Sequence, residues 1–227
     1  MKRLLTWGVM ALTSIAITCV EVKPSLAIPF AESGDAGKLP TTAQVITGPT
    51  GTSISQITGA LGFVGDVDMF ALLIPNPALF SATVAALGGS FVDSQLFLFN
   101  SARLGVRAND DAIGLRSRLP VGSVAGPAGL YYLAISDYDN DPVSATGDIF
   151  PDTPFTTVHG PTGPGGASPV TAWDNSLASE LGTYRITFTG ATVVSTTPTP
   201  EPSAYVLFGS GLVGMLGYGW RKRRQVA

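Results

Sequence analysis

The stretch TYRITFT at residues 183–189 alternates large apolar and polar side chains. Tyr184, Ile186 and Phe188 fall on one face of an extended chain, and the Arg and Thr residues between them fall on the other. Because this period of two residues belongs to strands and not to helices, the stretch predicts a β-strand with one buried face.

Five earlier segments are also rich in β-forming residues, and Gly, Pro, Asn or Asp separates nearly all of them. No stretch in the middle of the chain combines a 3.6-residue period with helix caps. Short strands with turn signals between them predict an all-β fold, an antiparallel β-sandwich. The five segments are Ser53–Thr58, Met69–Ile74, Phe80–Ala86, Leu96–Phe99 and Leu130–Ile135. The last two are apolar on both faces, as in a sandwich core.

The segment from about residue 141 to 180 interrupts this rhythm. It is rich in proline and glycine and is too long for a hairpin loop. We expect a surface insertion before the last strand, either a binding loop or a disordered excursion, and we favour the second.

Charge is segregated along the chain. The net charge of the whole chain is -3, but residues 28–202 contain 15 acidic and 6 basic residues. An acidic domain argues against nucleic-acid binding, which needs a basic face. The only cysteine, Cys19, lies in a segment that we expect to be removed, so the mature domain has no thiol to form a disulfide or bind a metal.

The N-terminus has the pattern of a secretory signal peptide, residues 1–27. Lys2 and Arg3 precede an apolar run at residues 4–17, and small residues at Ser25 and Ala27 predict cleavage after Ala27. An anchor that is never cleaved is the alternative. Residues 28–52 are then expected to be an N-terminal extension, followed by the β-sandwich at residues 53–194.

The C-terminus has three parts in order. A Pro-rich linker at residues 195–203 contains the sequence Pro200-Glu201-Pro202, and residues 204–220 carry no charge. As a helix, those 17 residues span roughly 26 Å, close to the ~30 Å of a bilayer core, so we expect a transmembrane helix. The tail at residues 221–227 would stay in the cytoplasm because it is basic, through Arg221, Lys222, Arg223 and Arg224.

This end of the chain resembles the PEP-CTERM sorting signal. The resemblance implies recognition by a membrane-embedded exosortase that cuts near Pro-Glu-Pro and releases or transfers the domain. It also implies an exported protein, held in the inner membrane as a precursor and found at the cell surface or outside the cell afterwards. Members are associated with bacteria that make extracellular polysaccharide, so the extracellular matrix is an expected partner. The alternative is an ordinary single-pass tail anchor.

The middle of the chain resembles the bacterial pre-peptidase C-terminal (PPC) domain. Four segments occur in that family's order: residues 65–70 (GDVDMF), 93–99 (DSQLFLF), 109–111 (NDD) and 129–135 (GLYYLAI). Residues 182–190 supply a possible final strand. The resemblance implies a β-sandwich that accompanies secreted enzymes without being catalytic, and some members bind matrix polymers or calcium.

Acidic residues cluster next to two of the predicted strands and at the end of one predicted loop. Calcium prefers six to eight oxygen ligands, and alternating acids in a loop can wrap one ion. The ordinary alternative is turn chemistry, since Asp and Asn favour turns through their own backbone hydrogen bonds. The candidate calcium ligands are Asp66, Asp68, Asn109, Asp110, Asp111, Asp137, Asp139 and Asp141.

Catalytic chemistry has little support. The single histidine, His159, lies in the Pro/Gly-rich segment, and nitrogen and sulfur ligands for zinc are too few. The sequence therefore favours a non-catalytic exported domain with a structural, adhesive or polymer-binding role. Two alternatives remain, a secreted hydrolase that uses paired carboxylates and a permanently anchored envelope protein.

Overall fold

The regular secondary structure of the protein is almost entirely β-strand in the computed structural model, which describes residues 26–87, 93–174 and 181–195. One short 3-10 turn, Pro77–Leu79, is the only helical element within these ranges. The strands are β1 (Ile28–Ala31), β2 (Gln44–Val45), β3 (Thr47–Gly48), β4 (Ile54–Leu61), β5 (Val67–Ile74), β6 (Ser81–Ala86), β7 (Ser94–Asn100), β8 (Gly105–Asn109), β9 (Arg118–Leu119), β10 (Gly129–Asp137), β11 (Pro142–Ser144), β12 (Gly147–Asp148), β13 (Val170–Trp173), β14 (Gly182–Thr189) and β15 (Val194–Ser195). The all-β prediction is confirmed, and all six strands expected from the sequence are present.

Two five-stranded sheets make up most of the domain. The first sheet has the order β1-β4-β14-β6-β9, and the second has the order β2-β5-β10-β7-β8. Both are mixed, because β1 runs parallel to β4 and β2 runs parallel to β5, while the other pairs are antiparallel. The expectation of a purely antiparallel arrangement is therefore wrong at these two edges.

The parallel edge strands come from residues before Ser53, where the sequence placed the start of the sandwich. The pairing of β1 with β4 joins Phe30 to Ile57, and β2 adds Gln44 beside Phe70. Such pairings join segments far apart in the chain, and strands this short carry too little periodicity to be recognised.

One hydrophobic cluster is shared by both large sheets. The alternate residues Tyr184 and Ile186 of the first sheet and Leu133 and Ile135 of the second are all buried in it. Phe188, the third residue of that face, packs against the cluster while partly exposed. The predicted half-buried strand at residues 183–189 is thus confirmed.

The outer face of the second sheet is covered by residues 141–174, the described part of the predicted insertion. We call these residues the covering segment. Within it, β11, β12 and β13 form a three-stranded sheet. A second hydrophobic cluster joins Phe150 and Trp173 of this segment to Phe97 and Ala134 of the second sheet. The favoured expectation of a disordered excursion is therefore wrong. This covering layer also explains why β7 and β10 are apolar on both faces.

Within the described ranges, no helix is long and apolar enough to cross a membrane. The expected transmembrane helix at residues 204–220 lies outside those ranges. So do the Pro-Glu-Pro motif, the basic tail and nearly all of the signal peptide.

Candidate functional site

Two groups of three carboxylates in the described part of the chain are close enough to share an ion. In each group, one oxygen from every residue lies within 4.8 Å of the others. The first cluster consists of Glu32, Asp35 and Asp68, and the second cluster consists of Asp93, Asp110 and Asp111.

The first cluster forms where the loop after β1 crosses the start of β5. Both oxygens of Glu32 accept backbone hydrogen bonds, Oε1 from Ala36 at 3.0 Å and Oε2 from Ala60 at 3.1 Å. The loop is tied to β5 by a 3.1 Å hydrogen bond from the Met69 amide to the Gly37 carbonyl. Glu32 is therefore held in place beside Asp68.

Asp68 is the buried member of the first cluster, with 1% of its surface exposed. Its Oδ2 accepts a 2.6 Å hydrogen bond from the Tyr184 hydroxyl, whereas its Oδ1 is buried with no hydrogen-bond partner. Burial, with a smaller contribution from nearby Glu32, raises the pKa of Asp68 to about 8. Burial and the Asp68 charge also raise the pKa of Tyr184.

The second cluster lies at the shared end of β7 and β8. Asp110 is 7% exposed and its Oδ1 is buried without a hydrogen-bond partner. Burial, followed by the charges of Asp111 and Asp93, raises the pKa of Asp110 to about 8. A buried carboxylate without a donor is costly, so either a proton or a cation must compensate its charge.

An acidic pocket of about 440 Å³ opens beside the second cluster, between the covering segment and the loop after β10. Two hydrogen bonds between Asp141 and Asp174 link the two sides of the pocket. The Asp141 amide donates to Asp174 Oδ1 at 2.8 Å, and the Asp174 amide donates to the Asp141 carbonyl at 3.1 Å. Burial, then the charge of Asp174, raises the pKa of Asp141 to about 7. The aspartates lining this pocket are Asp139, Asp141, Asp148, Asp152 and Asp174.

The candidate calcium ligands predicted from the sequence do not form one site, and five of them are divided among the two clusters and the acidic pocket. Asp68 belongs to the first cluster, Asp110 and Asp111 belong to the second, and Asp139 and Asp141 line the acidic pocket. Calcium binding by these residues stays a prediction.

The other three candidate ligands have local structural contacts. Asp66 Oδ2 accepts from the Gly62 amide at 2.6 Å, and Asp137 Oδ1 accepts from Asn140 Nδ2 at 3.3 Å. Asn109 uses both ends of its amide, accepting from the Arg118 amide at 2.8 Å and donating to the Thr157 carbonyl at 3.2 Å. Asn109 therefore positions the chain around the second cluster, and its side chain is already engaged.

Sequence reasoning missed six acidic residues that the fold brings to these places: Glu32, Asp35, Asp93, Asp148, Asp152 and Asp174. Asp93 gave the clearest signal, because it lies three residues before the predicted strand Leu96–Phe99. Nothing local marks Glu32 and Asp35, which reach Asp68 because the loop after β1 is hydrogen-bonded to β5.

Comparison with known proteins bears on the C-terminal end. Residues 198–224 match the PEP-CTERM protein-sorting motif. No curated protein matches the chain. The motif supports sorting of an exported protein to the surface, and it implies recognition by an exosortase-type membrane protease and a membrane-anchored precursor.

Proposed function

We propose that the chain is a non-catalytic exported domain, sorted by its C-terminal signal to the cell surface or the extracellular polysaccharide matrix. Its role there is structural, adhesive or polymer-binding. The observation that carries the proposal is the sorting motif at residues 198–224, downstream of a β-rich domain whose last described strand ends at Ser195. The precursor sits in the inner membrane, and an exosortase cuts near the Pro-Glu-Pro motif and releases or transfers the domain.

The domain is a β-sandwich of the PPC type in this proposal. Two five-stranded sheets that share one hydrophobic cluster support the sandwich. The four segments that resemble the PPC family fall on β5, β7, the end of β8 and β10, which are neighbours in the second sheet. The covering sheet of residues 142–173 is an addition to that plan.

The absence of catalysis is supported by the surroundings of the single histidine. His159 pairs through its backbone with Ala108, and its Nε2 lies 3.0 Å from the Pro154 carbonyl oxygen. The ring is thus engaged by backbone of its own segment, whereas a catalytic histidine needs a nucleophile on one nitrogen and an orienting group on the other.

The first cluster is a calcium site in this proposal. Three carboxylates within 4.8 Å of one another suit an ion that binds oxygen at about 2.3–2.6 Å. The buried Oδ1 of Asp68 has no hydrogen-bond partner, and a bound ion would compensate its charge. An ion shared by Glu32 and Asp68 would also link the end of β1 to β5. Millimolar calcium should raise the melting temperature of the full-length chain, and Asp68→Asn should reduce that rise. An unchanged melting temperature would contradict the calcium site.

The acidic pocket favours the hydrolase alternative enough to justify a direct test. Perturbed carboxylates in a cleft are frequent at catalytic sites, and the pKa of Asp141 is raised to about 7 there. Polysaccharides of the producing cell should be incubated with the wild-type chain and with Asp141→Asn and Asp174→Asn variants. The proposal expects no hydrolysis by any of them. Hydrolysis that is lost in both variants would establish the alternative.

Intact-mass spectrometry of protein recovered from membrane and from medium tests the sorting proposal. The expected mature species begins near Ile28 and ends between Pro200 and Pro202. Replacing Pro200, Glu201 and Pro202 with alanine should leave the chain in the membrane at full C-terminal length. The matched control replaces Thr196 and Thr197, which precede the motif, and should be processed normally. A wild-type species that keeps Arg221–Arg224 in the membrane would mean that the tail is a permanent anchor.

A further inference from the structure

The second cluster is created by the antiparallel pairing of β7 with β8. The ladder joins Leu96 to Asn109, so the start of β7 lies beside the end of β8. Asp93 comes one residue before β7, and Asp110 comes one residue after β8. Two carboxylates 17 residues apart in the chain (110 − 93) therefore meet at one end of this strand pair, with Asp111 next to them.

The burial of this cluster is the observation that needs an explanation. Asp93 is 8% exposed and Asp110 is 7% exposed. Asp110 Oδ1 and Asp111 Oδ1 are buried and accept no hydrogen bond within the described residues. Carboxylates in solvated turns would be exposed to water, and buried carboxylates in a structural network would be hydrogen-bonded. Neither description fits Asp110.

A small cavity adjoins Asp110 on the side facing the acidic pocket. Its volume is about 10 Å³, close to the smallest space that holds one water molecule. Asp141, from the loop after β10, and Asp152, from the covering segment, also line this cavity. The cavity leaves room for a water molecule as an additional ligand of a neighbouring ion.

We propose that Asp93, Asp110 and Asp111 bind one calcium ion, separate from the ion of the first cluster. Two oxygens bound to one calcium ion at about 2.3–2.6 Å lie at most about 5 Å apart, and the 4.8 Å spacing of this cluster meets that limit. Three carboxylates supply up to six oxygens, and water in the cavity adds another. Calcium accepts such an irregular set, whereas magnesium requires a regular octahedron at about 2.0–2.1 Å.

The position of the site predicts what the ion does. The Asp111 amide donates a 3.0 Å hydrogen bond to the Phe155 carbonyl, and Asn109 holds the Thr157 carbonyl. The covering segment is thus attached to the chain that carries two of the three ligands. Calcium at this edge fastens the segment over the second sheet, and its removal loosens the segment.

Calcium binding by the full-length chain in detergent, after treatment with EDTA, tests the site by isothermal titration calorimetry. Asp110→Asn and Asp111→Asn should each bind one calcium ion fewer than the wild-type chain. Asp148→Asn is the matched control, because it removes the same charge from the exposed acidic pocket and should bind as the wild type does. Equal losses in all three variants would mean diffuse attraction to acidic surface and would overturn the proposal, as would unchanged binding by Asp110→Asn.

Two further measurements separate this site from the first cluster and from a folding defect. Asp68→Asn should lose a different ion, so that the double variant with Asp110→Asn loses both. Failure of the first cluster alone would leave the loss in Asp110→Asn intact. In EDTA, Asp110→Asn should melt at or above the wild-type temperature, because it removes a buried carboxyl group whose Oδ1 accepts no hydrogen bond within the described residues. In calcium it should melt below the wild type. A variant equally destabilised in both conditions would show a purely structural role and refute the site.

Discussion

The hydroxyl of Tyr184 donates a 2.6 Å hydrogen bond to Oδ2 of Asp68. Tyr184 lies on β14 of the first sheet, and Asp68 lies on β5 of the second sheet, so the bond joins the two sheets through the core. It also fixes the orientation of the Asp68 carboxylate and leaves Oδ1 for the first cluster. One contact thereby serves both the fold and the proposed ion site.

Replacing Tyr184 with Phe should destabilise the domain by about 1–3 kcal/mol, because it leaves a second buried oxygen of Asp68 without a donor. Urea unfolding of the full-length chain in EDTA, followed by tryptophan fluorescence, measures the loss. Calcium affinity of the first cluster should fall as well, since the carboxylate is no longer oriented.

The control for this prediction is Tyr132→Phe. Tyr132 is half-buried, and no hydrogen bond of its hydroxyl is found within the described residues. Its loss should change the free energy of unfolding by no more than about 0.5 kcal/mol. Equal effects of the two substitutions would show that the Tyr184 hydroxyl contributes nothing specific.

Gly59 is a second residue, besides Tyr184, on which the geometry of the first cluster depends. A Cβ atom there would collide with the Tyr184 hydroxyl and with Glu32 Oε2. Because Tyr184 is rigid and fully buried, Gly59→Ala should displace Glu32, cost about 1–3 kcal/mol of stability and weaken calcium binding about tenfold. Calorimetry and urea unfolding check both effects. Gly62→Ala, where the Cβ would make only a 3.7 Å contact with Asp66, should behave as the wild type.

The strands that the sequence predicted are those with enough residues to show a pattern. The stretch TYRITFT predicted β14 because apolar and polar side chains alternate over seven residues, which indicates a strand with one face buried against a core. The strands β11, β12 and β13 have two to four residues each and lie among prolines, so no pattern reports them. Their evidence was indirect: β7 and β10 are apolar on both faces because Phe150 and Trp173 cover the outer one.

The candidate site was predictable to the extent that acids stand next to strands. The sequence placed Asp110 and Asp111 together at the end of a loop, whereas in the structure they follow β8, a strand that the sequence did not predict. Their partner Asp93 was missed because only the register of β7 against β8 makes them neighbours. Glu32 was missed for a similar reason, since the contact between its loop and β5 joins distant parts of the chain and leaves no local trace.

Asp141 predicts a pH dependence with a definite sign. Burial and the charges of Asp174, Asp152 and Asp139 raise its pKa from 3.8 to about 7 in the folded protein. The folded state therefore favours the protonated form of Asp141 more than the unfolded state does. The contribution of Asp141 to the free energy of unfolding is fully present below pH 3.8 and is lost as the pH rises to about 7. Asp68 and Asp110, with pKa values raised to about 8, act in the same direction.

Asp141→Asn should therefore flatten the decline in stability between about pH 4 and pH 7 in EDTA, and should exceed the wild-type stability above pH 7. The substitution keeps an oxygen for the 3.2 Å hydrogen bond from Gln95 Nε2. Thermal melting across that range measures the effect. Thr162→Val, which alters the same pocket without changing its charge, should keep the wild-type slope. An identical slope for Asp141→Asn would show that this carboxyl group titrates normally.

Trp173 attaches the covering segment to the second sheet. Its side chain is 3% exposed, its ring packs edge-on against Phe97 at 5.4 Å, and its Nε1 donates a 2.6 Å hydrogen bond to the Lys38 carbonyl. Trp173→Ala should cost about 3–5 kcal/mol and make the covering segment the first place that thermolysin cuts. Mass spectrometry of the fragments locates the cuts. Val121→Ala, at a site 56% exposed, should leave the fragment pattern unchanged. Rapid cutting of the segment in the wild-type chain would mean that it is not packed on the second sheet.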